Sequence, residues 1–355
     1  MSDDGHGDTI EVRSDERFDE ARVAEYLRDK LPGGALPLTV RQFGGGAANL
    51  TYELDYGNGR YRYVLRRPPL GPVAKSAHDM GREYKVLSVL YRALPCAPRA
   101  YAYCEDESII GAPFFVMERV EGVVVRRTMP GAFADDPGAP RRMSEALVDA
   151  LADFHAVDYE AIGLGDLGRP EGFLERQIEG WYGRWHKSKE RDLEDMDRLH
   201  EWLLANLPQQ AGVSLVHNDY KLDNVMFDRN DPGHLKAIFD WDMCTLGDPL
   251  SDLGSLLTYW TEPSDPDEYK LVSPMPADVP GWLSREELVR RYAERSGRNV
   301  SHIDFYQALG LYRLAVILQQ IYIRWVRGQT QDARFEALGP LVPICAAQAR
   351  QIAER

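Results

Sequence analysis

Between residues 215 and 242 the chain reads LVHNDYKLDNVMFDRNDPGHLKAIFDWD, and no other stretch constrains the protein as much. VMFD and LKAIFD are short strand-forming runs separated by the turn-forming RNDPGH, the pattern of an antiparallel hairpin. In such a hairpin the start of the first strand lies beside the end of the second. Asn224 and Asp240 occupy those two ends. An amide oxygen and a carboxylate are therefore expected at one point, a hard-oxygen pair that suits Mg2+ once phosphates supply further oxygens. Asp219 lies five residues before Asn224, and Lys221 follows Asp219 by two. A carboxylate able to take a hydroxyl proton, a cation able to offset charge on a phosphoryl group and a metal ligand thus share one loop. Phosphoryl transfer needs that set, because positioning and electrostatics do most of its catalysis.

The rest of the chain divides around residue 121. Residues 1–14 are acidic and poor in apolar residues and are expected to form a disordered tail. A helical pattern over 15–31 ends at Pro32 and Gly33. LTVRQF and LTYELDY then flank GGGAAN, and RYRYVLR follows a GNG turn, giving three strands in an antiparallel meander. A helix over 78–94 and strands near 99–105 and 113–119 complete an N-terminal lobe of 15–121, expected to bind nucleotide. From 122 to 355 apolar spacing predicts helices near 141–156, 173–187, 193–206, 250–260, 284–296 and 303–327. This C-terminal lobe would carry the catalytic loop and the acceptor pocket, with the cleft between the lobes as the site. The expected class is α+β, a small antiparallel-sheet lobe followed by a larger, mainly helical one.

The donor-binding parts belong in the first lobe. Gly44, Gly45 and Gly46, with Asn49 behind them, form a turn between two strands, where exposed backbone N–H groups can cover phosphates. The third strand ends in Arg66 and Arg67, which point to opposite faces. One of the two is the candidate phosphate-holding cation, with Arg66 preferred. Glu83, in the helix GREYKVLSVL, is the carboxylate suited to orient it.

The pattern H-x-D-x-K-x-x-N, followed by an apolar strand ending in Asp, resembles the catalytic and metal loops of protein kinases. GGGAANLTYEL, YVLRRPP, SAHDMGREYKVL, IIGAPFFVMERVEG, LVHNDYKLDNVMF and IFDWDMCTLGDPLSDLG extend the likeness over roughly residues 38–330. Together they resemble the aminoglycoside phosphotransferase and choline-kinase group, and within it the subgroup whose members also occur fused to acyl-CoA dehydrogenases. The resemblance implies a bilobal protein-kinase-like fold, ATP as donor and Mg2+ as metal. By motif position it makes Asp219 the catalytic base, Asn224 and Asp240 the metal ligands and Arg66 the phosphate cation. It also makes Met117 to Val120, Glu118 included, the hinge whose backbone pairs with adenine. Arg stands where kinases usually have Lys, and Asn218 where aminoglycoside kinases usually have Gly; choline kinases similarly read H-N-D.

Only eight residues separate Asp240 from Asp248, and no A-P-E sequence follows, so there is no platform for a peptide substrate and a small acceptor is expected. Trp181 and Trp185 on one predicted helix, and Tyr322 and Arg324 on another, are candidates for its contacts. Arg near the acceptor suits a carboxylate or phosphate. With the fused relatives, this implies a hydroxy acid or its CoA thioester. The alternatives are an aminoglycoside, macrolide or choline-like kinase, or a non-catalytic nucleotide-binding module. His217 reads as a structural hydrogen-bonder, Asp252 as a brace for the loop and Asp248 as a turn or cap residue.

A net charge of −14 argues against nucleic acid or an anionic membrane as partner. No apolar run of about 18 residues marks a membrane span, and MSDDGHGDTIEV has neither the basic start nor the apolar core of a secretory leader. Cys96, Cys104, Cys244 and Cys345 show no metal or disulfide spacing, which fits a reducing cytoplasm.

Overall fold

The computed structural model describes residues 8–44, 49–70, 79–273, 275–276, 279–330 and 332–355. It separates into two units, one of Met1–Glu121 with Ala237–Met243, the other of Gly122–Lys236 with Cys244–Arg355.

The first unit is built on strands β1 (Thr9–Ile10), β2 (Leu38–Phe43), β3 (Leu50–Tyr56), β4 (Tyr61–Arg67), β5 (Ala100–Cys104) and β6 (Phe114–Glu118). They pair antiparallel in the order β1-β2-β3-β4-β6-β5. The turn from β3 to β4 places Gly57, Asn58 and Gly59 at positive φ, which is why two glycines flank an asparagine there. Helix α1 (Glu20–Leu27) starts where Asp19 accepts from the Ala21 and Arg22 N–H groups, and it buries Val23 and Leu27. Those two pack with Tyr52, Leu54, Leu65 and Phe114 on one face of the sheet. Helix α2 (Met80–Leu90), capped by Asp79, buries Met80, Val86, Leu87 and Leu90. It also buries Glu83, a placement that needs a countercharge.

One expectation changes here. The stretch 1–14 is expected as a disordered tail, but within it Thr9 and Ile10 form an edge strand of the sheet. Thr9 and Ile10 pair with Phe43 and Gln42, and Arg119 Nη2 donates to both Asp8 oxygens (3.0 and 2.9 Å). Ladder bonds and a charge partner supply what the tail's composition lacks.

The second unit holds helices α3 (Ala139–His155), α4 (Phe173–Ser188), α5 (Glu194–Ala205), α6 (Leu250–Tyr259), α7 (Asp267–Lys270), α8 (Arg285–Ser296), α9 (Ile303–Val326) and α10 (Leu341–Ala353). Helix α9 is its spine and packs against α4, α6 and α10. Two glycines let α6 approach it. A Cβ on Gly254 would lie 2.4 Å from the Tyr306 backbone, and one on Gly310 would lie 2.4 Å from Thr258 Oγ1. Strands β7 (Ser214–Val216) and β10 (Thr245–Gly247) pair antiparallel, as do β8 (Val225–Asp228) and β9 (Asp231–Ile238) as a hairpin. The expected turn RNDPGH is shorter in the structure: only Arg229 and Asn230 connect the strands, and Pro232 lies inside β9. A two-stranded ribbon has an open edge where proline's missing N–H costs no ladder bond. Among the described residues no helix is long and apolar enough to cross a membrane. All four cysteines are free thiols.

Candidate active site

In the second unit the loop after β7 carries the H-x-D-x-K-x-x-N residues. Its backbone is fastened by Asp252, fully buried in the first turn of α6. Asp252 Oδ2 accepts from the His217 N–H (2.6 Å) and Oδ1 from the Asn218 N–H (2.7 Å). The same carboxylate meets His155 Nε2 at 3.2 Å, while His155 Nδ1 meets the Tyr292 hydroxyl at 2.8 Å. A neutral imidazole donating from Nε2 and accepting at Nδ1 satisfies both contacts. Burial, opposed by Asp252, holds the His155 pKa below its ordinary value. Asn218 adopts φ 65°, a left-handed turn that Asn tolerates better than most residues. His217 Nδ1 accepts from the Asp219 N–H at 3.2 Å, a supporting bond.

These constraints bring Asp219, Lys221 and Asn224 together. Lys221 Nζ bridges the two Asp219 oxygens at 2.9 and 2.8 Å. Asn224 Nδ2 donates to the Asp219 carbonyl (2.9 Å) and to Oδ2 (2.8 Å), so its amide oxygen is the atom left for a cation. Burial works against the Lys221 charge, but Asp219, with Tyr259 and Asp223, outweighs it and raises the pKa. Lys221 Nζ also sits 5.2 Å from the Tyr259 ring centroid. Burial raises the Asp223 carboxyl, and its Oδ1 is buried without a hydrogen-bond partner among the described residues. Neither Tyr259 nor Asp223 was singled out from the sequence.

In the first unit Arg66 joins two carboxylates. Nη1 reaches Glu83 Oε1 at 2.5 Å and Nη2 reaches Asp240 Oδ1 at 2.8 Å. Burial pushes the Glu83 carboxyl well up, with Arg66 pulling it down. Its Oε2 is buried with no partner among the described residues. Asp240 sits at φ 69°, a strained conformation for a non-glycine residue. Arg67, the alternative cation, points the other way. It donates to the carbonyls of Ile110 (3.0 Å) and Glu16 (2.9 Å) and to the Tyr52 hydroxyl (3.0 Å), which makes it a cross-brace.

Gly44 ends the β2 side of the glycine turn, while Gly45 and Gly46 lie outside the described residues. Asn49 is 6% exposed, and both of its side-chain polar atoms lack a partner among the described residues. In the proposed hinge Met117 is buried, and the Glu118 N–H is already bonded to the Arg99 carbonyl at 2.8 Å. The Val120 carbonyl accepts from Arg119 Nη1 at 2.8 Å.

The four acceptor candidates do not share one cavity. Trp181 lines a notch with Asn218, Ser251 and Arg313. Trp185 and Tyr322 line a different cavity of about 490 Å³ with Gln319 and Pro340. Arg324 is exposed in the last turn of α9 and lines neither. Arg313, which donates to the Asn218 carbonyl, was missed. A lone charge inside the apolar run GLYRLAVIL was its signal.

The sheet unit followed by a mainly helical unit, with an H-x-D-x-K-x-x-N loop in the second, defines an α+β fold of the protein-kinase-like class. Residues 39–288 match the phosphotransferase enzyme family, and the chain belongs to it. It is 34% identical over 333 residues to rat acyl-CoA dehydrogenase family member 11, covering 92% of this chain and 42% of that protein. The chain thus spans less than half the length of that relative. A crystal structure of a putative aminoglycoside phosphotransferase from Ralstonia eutropha aligns with a TM-score of 0.81 at 33% identity, covering 95% of this chain and 99% of that one. Choline kinase from Cryptosporidium parvum aligns with a TM-score of 0.64 at 12% identity, covering 94% and 96%, and shares the fold. The protein is a small-molecule kinase of the phosphotransferase family.

Proposed function

We propose that the protein transfers the γ-phosphoryl group of ATP to a hydroxyl of a small acid, a hydroxy acid or its CoA thioester, in an Mg2+-dependent reaction. The observation that carries the reading is the Asp219–Lys221–Asn224 set, held on a loop whose backbone is fixed by Asp252. Asp219 would take the proton of the acceptor hydroxyl as its oxygen attacks the γ-phosphorus and the bond to the β,γ-bridging oxygen breaks, releasing ADP. Lys221 holds Asp219 in position and supplies a positive charge that would offset the negative charge on the oxygens of the transferring phosphoryl group. Asn224 fixes the Asp219 rotamer through its amide N–H.

On the donor side Arg66, fixed by Glu83, would hold the α- and β-phosphates. The glycine turn of Gly44–Gly46 and Asn49 would cover them, and the backbone of Met117, Glu118 and Val120 would take adenine. Asn224 and Asp240 offer the hard oxygens that Mg2+ prefers. Such a site takes one or two protein oxygens and completes its shell with phosphate and water, not with a cage; among the described residues no three His, Cys, Asp or Glu side chains form one. When bound, Mg2+ would neutralise charge on the phosphates. The acid-bearing acceptor is supported by the arginines near the acceptor helices and by the acyl-CoA dehydrogenase name of the relatives that share this region.

The test is Asp219→Asn with a panel of acceptors. Mg-ATP should still raise the melting temperature of the variant, while phosphoryl transfer falls by about 10²- to 10⁴-fold. Turnover retained in that variant removes Asp219 from its role. Turnover of choline, aminoglycosides or macrolides, with none of hydroxy acids or hydroxyacyl-CoA thioesters, overturns the acceptor.

A further inference from the structure

Trp181, which lines the notch beside the catalytic loop together with Arg313, carries two cations on its indole, Arg313 and Arg184. The Arg184 guanidinium lies 4.3 Å from the Trp181 ring centroid, and that of Arg313, reaching over from α9, lies 5.2 Å from it. Each repels the other. Partial desolvation against the Trp181 indole first, and then Arg313, lowers the Arg184 pKa, and no carboxylate is paired with Arg184 among the described residues. In a chain with fourteen more acids than bases, a cation pair gathered without an acid at Arg184 is a poor arrangement for stability alone. It is a good one for an incoming anion.

Two further observations tie the pair to a ligand at the reaction site. Arg313 Nη2 donates to the carbonyl of Asn218, the residue before Asp219, so the charge is fastened to the loop itself. Ser251, on α6, lines the same notch, and its Oγ is buried with no hydrogen-bond partner among the described residues. That hydroxyl and the Arg313 guanidinium, which line the same notch, are donors for carboxylate or phosphate oxygens, and Arg184 on the Trp181 indole adds a second cation at its side. The notch encloses only about 20 Å³. This suits the end group of a substrate and not its whole body.

We infer that Arg184 and Arg313, both resting on Trp181, form the subsite that takes the anionic end of the acceptor while its hydroxyl is presented to Asp219. The assignment rests on the reading of the H-x-D-x-K-x-x-N loop as the transfer site. The shared chemistry is an anionic oxygen, and it has two sources. It is the carboxylate of a free hydroxy acid or a phosphate of a CoA thioester. Arg184, Arg313 and Trp181 would set which acceptors are admitted, and the chemical step would stay with the loop.

The experiment separates binding from turnover. The full chain, without nucleotide, is titrated calorimetrically with 3-hydroxybutyrate, with its CoA thioester and with uncharged 1,3-butanediol. At least one anion should bind and the diol should not, and added salt should weaken the anion. Arg184→Gln, a change at an exposed position, should weaken that anion by about 10- to 100-fold, the worth of one or two charge-assisted hydrogen bonds. It should leave the Mg-ATP shift in melting temperature intact. Binding of the free acid identifies the carboxylate as the source, and binding of the thioester alone identifies the phosphate. Where either is turned over, Arg184→Gln should raise KM and leave kcat within about twofold, the pattern of lost uniform binding. Arg313→Lys, which keeps the charge without the fork, should fall between wild type and Arg313→Gln. Absence of anion binding, or equal binding by wild type and Arg184→Gln, overturns the subsite whether or not the kinase reading stands. Arg184-dependent anion binding with no phosphoryl transfer to any acceptor leaves the subsite and removes the kinase reading.

Discussion

Arg66 holds two carboxylates, and only one of them can tolerate losing it. Asp240 has a side chain about a third exposed, whereas Glu83 has none of its surface exposed. Arg66→Ala should therefore cost about 3–5 kcal/mol in urea unfolding, because it strands a buried charge. Arg66→Met combined with Glu83→Gln should recover most of that loss, yet the Mg-ATP shift in melting temperature should stay absent. Asp252 is read in the same way. Asp252→Asn replaces an ionised acceptor of two backbone N–H groups by an amide with one acceptor oxygen, and should cost about 2–3 kcal/mol. Steady-state kinetics of that variant should show kcat falling with little change in the KM for ATP. The sequence carried these residues to different degrees. Period-two alternation along β4 is enough to send Arg66 and Arg67 to opposite faces, and the structure gives Glu83 to Arg66. That Arg67 braces Tyr52, Glu16 and Ile110 depends on partners up to 51 residues away, which no local pattern encodes. Arg184 and Arg313 escaped for the same reason, since only the packing of α4 on α9 makes them neighbours.

Among the elements, those with strong periodicity were legible. The meander β2-β3-β4 and the long helices follow from alternation, turn glycines and helical spacing. Short elements whose only support is a distant partner were not. β1 exists because β2 offers it an edge, and β7 pairs with β10 across about thirty intervening residues. Helix α10 begins LVPICAA, with a proline in its first turn and no charged cap, and its apolar residues face α9 in a pattern too dense to read as one stripe. The contact between α6 and α9 gives a direct test of packing. Gly254→Ala puts a methyl against the Tyr306 backbone, which has no rotamer to yield, and should destabilise the protein by about 1–3 kcal/mol. Gly180→Ala on α4, where a Cβ meets nothing within 4 Å, should instead be neutral or stabilising by up to about 1 kcal/mol. Parallel urea titrations check both.

For the molecule as a whole, the net charge of −14 first suggests a poor host for a triphosphate. Positive charge is nonetheless gathered locally, by Arg66 among acids in one unit and by Lys221, Arg184 and Arg313 in the other. Acid should weaken the fold through His155. Its pKa in the folded protein is below the ordinary 6.5, so the unfolded chain binds more protons as pH falls. The stability it contributes is complete above about pH 6.5 and declines as pH drops toward the folded value. Asp252, held low by its hydrogen bonds from His155 and the loop N–H groups despite burial, adds a further loss in more acid solution. The melting temperature should therefore fall between pH 7 and pH 5, and His155→Gln should flatten that slope while lowering the value at pH 7. One last consequence belongs to the path of the chain. The first unit is discontinuous: it includes Ala237–Met243, which supplies Asp240 to Arg66 and the Trp241 N–H to Glu83. During synthesis the sheet can form early, but its charge centre cannot close until Ala237–Met243 has left the ribosome. Until then Arg66 lacks its second carboxylate and Glu83 lacks the Trp241 N–H, and a nascent or truncated chain ending near Glu121 should be a substrate for chaperones and proteases before it is one for folding.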